Sequence, residues 1–221
     1  MKIFNKLNNN YFKKKDRRKL INWLTSLQNN DGGFSEVKDD LSTISCSYYT
    51  FRSLLKLEAL RRINKKKLIE FILSNKHPDG GFSNQAGQPP HPQYTSYSIF
   101  MLKELKELKR INVINLIKWL KSFKKEDGGF NEYTTQMSNI KYTYYVSRSL
   151  LLLNNNYRFE KDKLIKFILR HINPGGGFSN KPGEKPNSLI TKHIIFLLDY
   201  IYKNCPIIFG VLIYYSIRPS F

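Results

Sequence analysis

Four copies of one phrase constrain this chain more than any other feature. They are Asp31-Gly32-Gly33-Phe34, Asp79-Gly80-Gly81-Phe82, Asp127-Gly128-Gly129-Phe130 and Gly175-Gly176-Gly177-Phe178, and their phenylalanines fall 48 residues apart each time. A fixed period of that size marks a repeat array, in which each unit buries its apolar face only against its neighbours. A Gly-Gly pair opens backbone angles closed to other residues, so it suits a sharp reversal after a helix. The phenylalanine is expected in the seam between neighbouring elements. The phrase reads as a hinge between helices, with no chemistry of its own.

The stretches around the phrase carry helical spacing. Ahead of the first copy, Leu20, Ile21, Trp23, Leu24 and Leu27 share one face, with Arg17, Arg18, Lys19 and Asn22 off it. The face returns as Leu68, Ile69, Phe71, Ile72, then Leu116, Ile117, Trp119, Leu120, then Leu164, Ile165, Phe167, Ile168. Lys and Asn fill the other faces, so these are the wetter helices. After each phrase comes a polar loop and a second helix, opening at Cys46-Ser47-Tyr48-Tyr49, Tyr94-Thr95-Ser96-Tyr97, Tyr142-Thr143-Tyr144-Tyr145 and Ile190-Thr191-Lys192-His193. These helices are apolar over more of their circumference and belong in the buried layer. Links such as Arg61-Arg62-Ile63-Asn64 and Arg110-Ile111-Asn112 return the chain to the next wet helix.

The expected fold is therefore all-α: four helix-pair repeats at 16–63, 64–111, 112–159 and 160–207. Residues 1–15 read as a flexible basic lead-in without a secretory signal. The register places Leu212, Ile213 and Tyr215 on the opening helix of a fifth repeat within 208–221, either a terminal cap or the mark of a shortened chain. Its apolar surface favours truncation or a missing partner. The apolar run Pro206 to Ile217 is about a dozen residues, whereas a bilayer needs about 20, so no transmembrane helix is expected.

Net charge is +20, from 37 Lys+Arg against 17 Asp+Glu. Charge of that size attracts anions, although lysines scattered on outward helix faces also make an ordinary solvated surface. No nucleic-acid-binding motif accompanies it, so no nucleic-acid partner is expected. The two cysteines, Cys46 and Cys205, form no metal-type pair and suggest a reducing, cytoplasmic setting.

Leu27-Gln28-Asn29-Asn30-Asp31-Gly32-Gly33-Phe34 resembles the repeats shared by protein prenyltransferase β subunits and squalene-type terpene cyclases. The run from Gly80-Gly81-Phe82 through Pro89-Pro90-His91-Pro92-Gln93-Tyr94-Thr95 is similar to the G-G-F-x-x-x-P-G-Q-x-P-H-x-x-Y-T run of the β subunits, especially the Rab geranylgeranyl type. Lys181-Pro182-Gly183 extends the likeness. The resemblance implies an α/α toroid, here partial, with inner helices around a cavity and outer helices around the rim. It implies transfer of a farnesyl or geranylgeranyl group from its diphosphate to a protein cysteine, with a zinc ion activating the thiol. A partial toroid would expose the flanks of its inner helices, so a helical α-type partner subunit or self-association is expected.

On that resemblance, Tyr48, Tyr49, Tyr94, Tyr97, Tyr142, Tyr144 and Tyr145 are candidates for the wall of a lipid pocket, or else seam residues of the core. Tyrosine suits such a wall because its ring is apolar and its hydroxyl reaches a polar partner. His91, Lys141 and Lys181 stand where the family places basic residues for the diphosphate. Arg52 and Arg148 occupy equivalent positions one turn inside inner helices; buried there, each would need an anion or a carboxylate. The zinc set is not found. Ile190 stands where the family's His-Thr histidine would be, Pro92-Gln93 and Ile140-Lys141 replace its Asp-x-Cys, Ile44 precedes Cys46, and His193 lies one turn too deep. The family draws those ligands from its last repeats, beyond this sequence.

The cyclase branch needs Asp-x-Asp-Asp; Val37-Lys38-Asp39-Asp40 lacks the first acid, and a neighbouring Lys opposes a raised carboxyl pKa. Asp39-Asp40 reads instead as a solvated loop capping a helix. Two functions remain: an isoprenoid-diphosphate-binding prenyltransferase-like β chain, and a non-catalytic helical-repeat scaffold of the same origin.

Overall fold

The structure is a computed structural model that describes residues 14–78, 80–131, 138–154 and 159–203. Cys205 and the fifth-repeat residues Leu212, Ile213 and Tyr215 lie outside them. The described residues form eight α-helices: α1 Lys14–Ser26, α2 Ile44–Lys56, α3 Lys65–Ser74, α4 Pro92–Glu104, α5 Val113–Ser122, α6 Ile140–Leu153, α7 Lys161–Leu169 and α8 Ser188–Lys203. Single 3-10 turns, Leu60–Arg62 and Leu108–Arg110, precede α3 and α5. Extended backbone among the described residues amounts to isolated bridges, and no described helix is long and apolar enough to cross a membrane. The chain divides into two compact units, Met1–Ile111 and Asn112–Phe221, each holding two repeats.

Even-numbered helices are the buried ones. α6 buries ten of its residues, whereas α1 buries Ile21 and Leu24 and α5 buries Leu116 and Leu120. The core of the first unit gathers Phe34, Phe51, Leu54, Leu68, Ile72, Phe82, Ile99 and Leu102, each at most 1% exposed. The core of the second gathers Ile140, Leu164, Phe167, Ile168, Ile190, Ile194 and Leu197, with Phe178 packed against it.

One hydrogen-bond lattice recurs at every turn. The phenylalanine bridges the residue six before it: Gln28 with Phe34, Lys76 with Phe82, Lys124 with Phe130, Ile172 with Phe178. Its N–H donates to a hydroxyl 13 residues on, on Ser47, Thr95, Thr143 and Thr191, at 2.8–3.0 Å. Its carbonyl accepts from the N-cap residue of the next helix, Thr43, His91, Asn139 or Asn187. The turn's backbone groups are thereby satisfied inside the protein, as buried peptide groups must be.

The glycines do more than reverse the chain. At Gly32, φ is +95°, and a Cβ there would lie 2.2 Å from the carbonyl carbon of Lys67, in the first turn of α3. Gly128 is placed likewise, 2.5 Å from the carbonyl carbon of Lys163 in α7. The first glycine therefore seats the next outer helix directly on the turn. A tie over the same separation adds to this. Gln28 donates to the carbonyls of Gly32 and Asn64 and accepts the Asn64 N–H, while Lys124 pairs with Glu160.

Two expectations are corrected. Trp23 is 55% exposed, although its equivalents Phe71 and Phe167 are buried. Those two rings lie over the second glycine of the preceding turn, Gly33 and Gly129, and no such turn stands ahead of α1 among the described residues. Asp39-Asp40 is an exposed bend that caps no helix; the N-cap of α2 is Thr43, whose side chain accepts the Cys46 N–H.

Candidate functional site

In the first unit the tyrosines of α2 and α4 converge. Tyr48 and Tyr97 stack with ring centroids 3.9 Å apart and planes 3° from parallel. Tyr49 meets both rings edge-on, and its hydroxyl lies 2.9 Å from that of Tyr97. Gln93 donates to the Tyr97 hydroxyl at 3.1 Å. Tyr48 and Tyr97 are each 3% exposed, whereas Tyr49 is 56% exposed, so the wall is reachable from one side. Phe100 closes the other side, edge-on to Tyr48 and Phe51.

Arg52 completes this wall. Its guanidinium donates to the Tyr48 hydroxyl at 3.0 Å and sits 5.4 Å from the Tyr48 ring and 5.9 Å from that of Phe100. A cation buried at this position is expected to face a carboxylate or an anion. Among the described residues no carboxylate pairs with Arg52, and two ring faces with one phenol supply its surroundings instead.

The second unit repeats the arrangement with one exchange. His193 takes the place of the second-helix tyrosine and stacks on Tyr144, with centroids 4.5 Å apart and planes at 20°. Tyr145 meets His193 edge-on. His193 is 4% exposed, and its Nδ1 has no hydrogen-bond partner among the described residues. Burial pushes its pKa down to about 4, with the charges of Lys192 and Lys141 adding to the effect. Arg148 is buried on α6 at 4% exposure, and Lys141 and Tyr142 are half-buried in its first turn.

The other candidates occupy separate surroundings. His91 is the N-cap of α4, its Nδ1 accepting the Gln93 N–H at 3.0 Å, at the repeat position that Thr43 and Asn139 fill elsewhere. The half-buried Tyr94 ring tilts against His91 at 5.2 Å. Lys181 lies on the exposed loop after the fourth turn, 4.0 Å from Glu184. Sequence reasoning missed Phe100 and Gln93 as partners of the tyrosines. Their signal was an offset: stacking rings are 49 residues apart (48 to 97, 144 to 193), one position beyond the repeat. It also missed the hydroxyls of Ser47, Thr95, Thr143 and Thr191, visible as a fixed Ser/Thr position in register with the phenylalanines.

The residues present do not fit the zinc ion that the resemblance implies. Among the described residues no three His, Cys, Asp or Glu side chains converge. Ile190, at the expected histidine position, is 7% exposed inside the apolar cluster. Cys46 is a free, half-buried thiol, and the charged neighbours of His193 are lysines, which repel a cation.

The family model of the prenyltransferase α/α toroid domain matches residues 1–87 and again 39–192. Among solved structures, Candida albicans protein geranylgeranyltransferase-I, complexed with GGPP, matches with a TM-score of 0.73 and 20% identity. The match covers 87% of this chain and 61% of that one, so this chain spans less than two thirds of its length. At that identity the likeness speaks for the fold alone. No curated protein matches the sequence. The helix-pair repeats and the family match lead to one assignment: this chain belongs to the prenyltransferase α/α toroid domain family.

Proposed function

We propose that this chain acts as a protein-prenyltransferase β-type subunit, binding a geranylgeranyl or farnesyl diphosphate for attachment of the lipid to a protein cysteine. The observation that carries the reading is Arg52, a cation set among Tyr48 and Phe100 with no carboxylate partner among the described residues. A guanidinium in apolar surroundings gains most from an anion, and a phosphate oxygen suits its fork. Beside it, the exposed Tyr49 offers ring surface for an isoprenoid chain, backed by the buried stack of Tyr48 and Tyr97. In the second unit Tyr142, Tyr144 and Tyr145 would serve as the wall, with Lys141 and Arg148 as the cations. His91, through its outer edge, and Lys181 belong to the same proposed diphosphate set, with the weaker case, since one caps a helix and the other faces Glu184.

On this reading residues 16–207 act as one toroid-type domain in the cytoplasm, preceded by the lead-in 1–15 and followed by 208–221. A helical α-type subunit or a second copy completes it, and any zinc ligands come from residues not described here or from that partner. The second reading is a family-derived scaffold without chemistry. It is favoured by Ile190, an apolar core residue at the position of the family's histidine.

Calorimetric titration of the full chain with geranylgeranyl diphosphate, with and without zinc, separates the two. The enzyme-type reading expects binding that weakens roughly 10- to 100-fold in Arg52→Ala, the loss of one charge-assisted contact. A melting curve for each variant verifies folding. No binding in either condition would leave the scaffold.

A further inference from the structure

At the far end of α2 from Tyr48, roughly 13 Å along the helix axis, the first unit holds a cleft of about 520 Å3. Six cations line it: Lys14, Lys15, Arg17 and Arg18 of α1, and Arg61 and Arg62 of the 3-10 turn. Among the described residues Glu58 is its one acid and none of the six cations is ion-paired. Arg17 donates to the carbonyl of Leu57, the residue after the last turn of α2, which ties the two walls together and uses that helix's negative end. The other five cations line the cleft without such a tie.

Residue type sharpens the point. The sequence favours lysine, with ten arginines among its 37 Lys+Arg, yet four of the ten line this single cleft. A solvated, compositionally biased surface would present lysines with acids interspersed. Arginine's planar fork binds phosphate oxygens in pairs, where lysine offers only a point charge. Gathering like charges also opposes folding unless an anion offsets them. The volume suits a small molecule rather than a lone ion.

We propose that this cleft is a second ligand site, for a multiply phosphorylated small molecule or headgroup. It makes no use of the tyrosine wall and does not depend on isoprenoid binding.

The test is titration of the full chain with myo-inositol hexakisphosphate at near-physiological salt, alongside sedimentation with phosphatidylcholine vesicles with and without phosphatidylinositol bisphosphate. The proposal expects saturable binding that weakens about tenfold or more in Arg18→Ala/Arg61→Ala/Arg62→Ala. A control of equal charge change, Lys106→Ala/Lys109→Ala/Lys118→Ala, should stay within about twofold of the parent. Geranylgeranyl diphosphate affinity should be the same in the cleft triple and the parent, which keeps this site's failure distinct from that of the lipid site. Vesicle retention lost in the cleft triple identifies a lipid headgroup, and binding of the soluble probe without retention identifies a free phosphate ester; both support the site. Absent binding to either probe, or equal loss in the two triple variants, would overturn it.

Discussion

Gly32→Ala tests the claim that the turn is a seat for the next helix rather than a flexible hinge. The new Cβ would lie 2.2 Å from the Lys67 carbonyl carbon and 2.3 Å from its oxygen, both backbone atoms in the first turn of α3. Nothing there swings aside as a side-chain end would, so α3 must move off the turn. Two costs combine: about 1–2 kcal/mol for a non-glycine residue at positive φ, and about 1–3 kcal/mol for an overpacked contact. Gly87→Ala carries the first cost alone, because Gly87 has φ +81° but nothing within 4 Å of its Cβ position, so the difference between the two variants isolates the second. Gly32→Ala should therefore be less stable than Gly87→Ala by about 1–3 kcal/mol, or roughly 2–12 °C in Tm for a chain of this size. Melts followed by far-ultraviolet circular dichroism, with urea titrations beside them, give the comparison. Equal stability of the two variants would refute the seat and return the glycine to a conformational role alone.

The remaining predictions concern the lattice and its titration. Thr95→Val removes the acceptor of the buried Phe82 N–H and should cost about 1–3 kcal/mol in urea unfolding, while Thr95→Ser, which keeps the hydroxyl, should retain most of it. His193 has a folded pKa of about 4 against an ordinary 6.5, so the unfolded chain takes up the proton first. Its contribution is complete above the unfolded value and declines as pH falls toward the folded one, costing about 2 kcal/mol between roughly pH 7 and 5. His193→Phe, which keeps the ring stack, should flatten that part of the pH profile. A residual slope of the same sign is expected from His171, whose pKa burial also lowers.

The sequence carried the array because a repeat writes its rules several times over. Phe34, Phe82 and Phe130 are buried as their register required, and the Leu-Ile faces of α3, α5 and α7 turn inward, since a 48-residue period and a helical stripe are both local properties of the chain. The candidate tyrosines were legible as residue types at helix openings. Which of them touch was not, because Tyr48 meets Tyr97 through the pairing of α2 with α4, an offset that no single repeat contains. The same holds for Arg52, whose lack of a carboxylate depends on what the neighbouring helix brings beside it. His91 was readable as a basic residue at a family position, but its Nδ1 is committed to the backbone of α4 by the geometry of the cap. Gly32 and Trp23 make the contrast plainest. Sequence assigned one a hinge and the other a buried face, and tertiary packing gave the glycine a helix to carry and left the tryptophan exposed. Periodicity and residue chemistry determined the elements and their layers; close approach between elements far apart in the chain, such as Gly32 with Lys67 and Tyr48 with Tyr97, decided what each side chain does.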